Sequence, residues 1–95
     1  MALQHEEEDQ LLVWPNPSSG QALELKVDGL ADTDTHADIV VFDATGKQVF
    51  QQRSAVQAPQ WRSSVAFADV LPTGHYFLRI TASGKTWNSR FVVAH

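Results

Sequence analysis

Apolar residues in this chain recur at every second position, and nowhere do they hold the 3.6-residue spacing of a helix face for three turns. Leu23, Leu25 and Val27 alternate with Glu24 and Lys26, and Tyr76, Leu78 and Ile80 alternate with Phe77, Arg79 and Thr81. A backbone that sends successive side chains to opposite faces puts one set in a core and the other in water. Ile39-Val40-Val41-Phe42 is apolar throughout and predicts a central strand.

Turn chemistry punctuates these runs at the spacing of a sandwich. Pro15-Asn16-Pro17-Ser18-Ser19-Gly20 stops the short run Leu11-Leu12-Val13-Trp14, because two prolines in six residues continue neither helix nor ladder. Asp28-Gly29 and the polar stretch 32–36 predict a connection. Asp43-Ala44-Thr45-Gly46 suits a type I turn with Asp first and Gly last, returning as a strand over 47–53 with Val49 inward. Pro59 closes a loose linker in which Trp61 is placed, and a strand is expected over 62–68 with Val65 and Phe67 on one face. Leu71-Pro72-Thr73-Gly74 and Ser83-Gly84 supply two more turns, and the last strand is expected over 86–93. The fold class predicted is all-β: an immunoglobulin-like β-sandwich of about seven antiparallel strands over 11–95. Residues 1–10, with the run Glu6-Glu7-Glu8-Asp9, are expected to form an acidic flexible linker or tail.

Composition narrows the function. Ninety-five residues make one domain that buries roughly 60–65% of its unfolded surface, enough for a core without staples. The absence of Cys removes disulfides, zinc-thiolate sites and thiol nucleophiles together. A net charge of −4, with 7 basic residues scattered singly, argues against nucleic acid, whose phosphates need clustered cations. No apolar run approaches the roughly 18 residues of a membrane span, so no membrane insertion is expected. The acidic start lacks the apolar core of a signal peptide.

Few residues suggest chemistry. Asp28, Asp32, Asp34 and Asp38 imitate the start of a calcium loop but lack the glycine at its sixth position and the distal Glu, so a solvated loop is the reading. The histidines at 5, 36, 75 and 95 have no metal-ligand spacing, and His75 is expected at the surface. No serine stands in a nucleophile elbow. Neither catalytic residues nor a cofactor nor a metal is expected. Trp14, Trp61 and Trp87 could stack on sugar rings, but a domain this small usually spends large aromatics on core and rim. Tyr76, two residues after the turn glycine Gly74, suits a tyrosine corner, with its phenol bonded to the upstream backbone.

Taken in order, these motifs resemble the C-terminal sorting domain of type IX secretion system cargo proteins, the Por secretion tail. That family opens with an aromatic residue, Pro-Asn-Pro, small residues and Gly, matched here by Trp14, Pro15, Asn16, Pro17 and Gly20. An alternating strand follows, and then Asp-x-x-Gly-Lys-x-Val, matched by Asp43, Gly46, Lys47 and Val49. Leu-Pro-x-Gly-x-Tyr corresponds to Leu71, Pro72, Gly74 and Tyr76, and the closing strand to Arg90-Phe91-Val92-Val93. The likeness spans 13–93. It departs at Trp14, where a tyrosine is usual, and at the end Ala94-His95, where many relatives carry a basic residue.

The resemblance implies a targeting function. A larger N-terminal cargo protein, fused to this domain in the parent chain, would cross the inner membrane by its own signal. The outer-membrane translocon of a Bacteroidetes-type bacterium would then recognise the folded domain. A surface sortase would cleave within or before 1–10, leaving the cargo at the cell surface or secreted after transit through the periplasm. A last strand at a sheet edge invites strand addition. The hairpin over 74–93 is therefore expected to carry recognition, through Gly74, Tyr76, Ser83, Gly84, Lys85, Arg90, Phe91, Val92 and Val93. The rival reading is an accessory module resembling fibronectin type III, binding carbohydrate or protein through exposed aromatics.

Overall fold

The chain's computed structural model describes residues 11–58, 60–82 and 84–95. The expectations placed on 1–10 and on Ser83 lie outside the described residues. Strands follow in the order β1 (Leu11–Trp14), β2 (Ala22–Asp28), β3 (His36–Asp43), β4 (Gln48–Ala55), β5 (Gln60–Ala66), β6 (Gly74–Ala82) and β7 (Lys85–Val93). They form a three-stranded sheet, β1-β2-β5, and a four-stranded sheet, β4-β3-β6-β7, with every strand pair antiparallel. Lettered as in immunoglobulin domains, these are A-B-E and C′-C-F-G. Fibronectin type III modules share the architecture, so it does not by itself decide function.

The alternation sets the core. Leu23, Leu25 and Val27 of β2 are sealed from solvent, facing Ile39 and Val41 of β3 and Leu78 and Ile80 of β6 across the sandwich. Each such side chain contributes about 1.5–3 kcal/mol by leaving water. β3 lies between β4 and β6, as its apolar run predicts. Its Val40 and Phe42 are half-buried on the outer face.

Several side chains differ from expectation. Val49 faces outward, 37% exposed, because the β3–β4 register shifts between Val41 and Phe42. Val41 pairs with Phe50 and Phe42 with Gln48, which leaves Val49 as the extra residue of a bulge. Phe50 packs on the core instead and meets Phe67 edge-to-face at 5.2 Å. Trp61 is not in a linker but in β5, opposite Val27 and packed against the core. β5 also stops earlier than expected, at Ala66, so Phe67 packs from the following loop.

Candidate recognition site

The sequence motifs meet at one end of the sandwich. After β1, the chain leaves the three-stranded sheet and Ser18 forms a parallel bridge with Val93 of the other sheet. Ser18 N–H donates to Val92 O at 2.7 Å, and Ala94 N–H donates to Ser18 O at 3.0 Å. Val92 N–H donates to Asn16 Oδ1 at 2.9 Å. The buried Ser18 hydroxyl donates to Ala22 O and accepts from Gly20 N–H, so the loop is braced from within. Gly20 has φ +86°, and a Cβ there would lie 2.7 Å from Leu71 O and 3.0 Å from Val93 Cγ1. Only glycine allows this approach. Leu71 N–H donates to Gly20 O at 3.0 Å, and His95 Nε2 donates to Leu71 O at 3.0 Å. Tyr76 completes the corner: its hydroxyl donates to Pro72 O at 2.7 Å, and its ring stacks on Phe91 at 5.4 Å. Burial raises the Tyr76 phenol above its ordinary value, with the nearby Asp43 charge adding to the effect.

The other end of β7 is held differently. Trp87 Nε1 donates to Asp28 O at 3.1 Å, and Lys85 Nζ donates to Gly29 O at 3.0 Å. β7 is thus an edge strand tied at both ends. Its middle is open. Val92 turns both backbone groups away from β6, toward residues 16–18, so the two-residue alternation gives Asn88 and Arg90 the same orientation. No described residue bonds to those groups on that side.

Beside this edge lies the outer face of the four-stranded sheet. Phe42, Phe77 and Arg90 are cross-strand neighbours in one row, with Val40, Arg79 and Asn88 in the next. Phe77 is 41% exposed, and Arg79 lies over the Phe42 ring at 5.1 Å. A depression of about 660 Å³ runs between these residues.

The sequence matches the family described as "Secretion system C-terminal sorting domain" over residues 12–94. The chain belongs to that family. It is a sorting signal of type IX secretion, which directs export to the cell surface or medium through that machinery. No curated protein matches it.

In this sorting domain the residues named for recognition divide in two. Tyr76, Phe91 and Val93 point into the core. Gly84, Lys85 and Arg90 are exposed, while Gly74 and Val92 are half-buried. The first group supports the surface that the second presents. Pro15, Asn16, Pro17, Gly20, Leu71 and Pro72 build the end that holds β7, whereas Asp43 and Gly46 form the distant β3–β4 turn. Ser18, Phe42, Arg79 and Asn88 were not singled out by the motifs. Ser18 is a small residue with no local pattern, and the other three hold outward positions whose grouping depends on strand order.

The remaining constellations do not converge. Asp34 is not solvated: it is 4% exposed, and its Oδ2 accepts from Ala31 N–H at 2.7 Å, closing the turn before β3. Among the described residues, no three acids or histidines are placed to hold a metal. Trp87 is buried and Trp61 packs inward, which leaves Trp14 as the exposed tryptophan, beneath Arg62 at 5.9 Å. They form no shared platform for a sugar.

Proposed function

We propose that the outer-membrane translocon reads the β6–β7 hairpin over 74–93 by strand addition to the open middle of β7. In this reading, residues 11–95 are the sorting unit and 1–10 join it to the cargo. The cargo reaches the periplasm by its own signal, and a surface sortase then acts within or ahead of 1–10. One observation carries the proposal: β7 is fastened at Trp87 and at Val92, while the outward backbone groups of Asn88 and Arg90 between them bond to no described residue.

The test is a periplasm-targeted reporter fused to the chain in a bacterium with a type IX system. The intact fusion is expected at the surface or in the medium. Deleting 86–95 would remove Trp87, Phe91 and Val93 from the core, so retention of that variant could reflect unfolding. Asn88→Pro separates the two causes. It breaks no bond to β6, since the Asn88 N–H faces outward, and proline is tolerated at edge strands. The variant is expected to melt within about 5 °C of the parent yet stay in the periplasm. Export at the parent level would refute strand addition at this edge.

A further inference from the structure

We propose that the segment added to β7 carries carboxylates, and that Arg79 and Arg90 select it from the outer face of the four-stranded sheet. The inference rests on the reading of β7 above and supplies the chemistry of its partner.

Charge is the first ground. The chain is acidic overall, at −4, yet this face presents two guanidiniums flanking two aromatic rings. The ion pair among the described residues is Arg53–Asp38 at 4.0 Å, and neither Arg79 nor Arg90 has a carboxylate partner there. The Arg79 guanidinium lies over the Phe42 ring at 5.1 Å, a cation–π contact that leaves its N–H groups available to an acceptor. A guanidinium offers a fork that matches a carboxylate in two parallel bonds.

Shape is the second. The depression is continuous with the strand edge, because Asn88 and Arg90 contribute both to its lining and to the open backbone. A strand laid along that edge places alternate side chains over the outer face. There one carboxylate reaches Arg90 or Arg79, and a neighbouring apolar group covers Phe77. The added strand must stop short of Val92, whose backbone groups Asn16 and Ser18 already occupy.

Other occupants suit the surface less well. A polyanion such as nucleic acid needs a stripe of cations and gains nothing from an exposed phenylalanine. A second copy pairing through the same edge would bring its own arginines to the same face, setting like charges together.

The test uses the full 95-residue chain, isotopically labelled, titrated with an octapeptide alternating glutamate and valine. Saturable shifts are expected at the amides of Asn88 and Arg90, with slowed hydrogen exchange there. The lysine-for-glutamate peptide is expected to bind at least about tenfold more weakly. The pair Arg79→Glu and Arg90→Glu should lose binding by a similar factor, Arg79→Lys should keep most of it, and Arg62→Glu on the opposite sheet should change nothing. Equal binding of the two peptides, or equal binding of polyglutamate without shifts in β7, would overturn the inference.

The reporter fusion separates this inference from the reading beneath it. If the parent is exported and a well-folded Arg79→Glu/Arg90→Glu variant is exported equally, charge selection falls while sorting through β7 stands. If the Asn88→Pro variant is exported normally, strand addition falls and this inference falls with it, whatever the peptide does.

Discussion

Gly20 and Gly46 have nearly the same backbone, at φ +86° and +89°, in very different surroundings. A Cβ at Gly20 would strike a backbone carbonyl, while one at Gly46 would meet nothing within 4 Å. The Gly46 turn is closed locally: Asp43 Oδ1 accepts from the Thr45 hydroxyl and from the N–H groups of Thr45 and Lys47. The Gly20 loop is closed by residues some seventy positions later. One glycine serves a turn whose closing bonds are local, and the other serves the junction that fastens β7.

The comparison is tested most severely by Gly20→Ala. A left-handed Cβ costs about 1–2 kcal/mol, and forcing it against Leu71 O and Val93 adds about 1–3 kcal/mol. A fall in melting temperature of roughly 10–25 °C is expected. A loss of only a few degrees would mean that the loop is not closed as described. Gly46→Ala carries the conformational cost without the clash, about 1–2 kcal/mol, and Gly46→Asn should recover part of it. Denaturant unfolding of the three variants side by side tests the order.

Tyr76→Phe probes the Gly20 end from its other side. It removes the hydroxyl that donates to Pro72 O, at a cost of about 0.5–1.5 kcal/mol, while the ring stays on Phe91. The parent should also lose stability in alkali. The folded phenol keeps its proton to a higher pH than the unfolded one, so stability is full below the ordinary value of 10.0 and declines above it. Unfolding measured from pH 8 to 11 should show that decline in the parent and not in Tyr76→Phe.

The smallest effect belongs to Asp43. The Thr45 hydroxyl, then the Lys47 N–H, hold its carboxyl below 3.8 in the folded chain. Its contribution is therefore complete above that value and disappears as pH falls through the lower folded one. Asp43→Asn should flatten the acid limb of the stability curve slightly, and carboxyl NMR titration reads the shift directly. An unshifted titration would mean that the turn opens in solution.

Much of the fold was legible because strands announce themselves by parity. Leu23, Leu25 and Val27 could face only one way, and Tyr76 followed its turn glycine at the distance a corner needs. Val49 was misplaced because a bulge inserts one residue without a sequence mark, after which every inward assignment shifts. Trp61 was placed in a linker because β5 is polar apart from it and Val65, so its alternation is faint. The candidate recognition site was half legible. Its supporting residues lie in motifs, whereas Arg79 and Asn88 join Phe77 only through the strand order β3-β6-β7, and Asn16 meets Val92 across a separation of 76 residues that no local pattern encodes.

That separation has a consequence in time. Because Ser18 waits for the N–H of Ala94, the fastening at this end is absent from any chain that stops short of residue 94, however well its earlier strands have paired. Such late, non-local closure is slow compared with a hairpin. A junction closed in this way forms only after β7 has joined its sheet, so an intact Ser18–Ala94 bond reports that both sheets have been assembled.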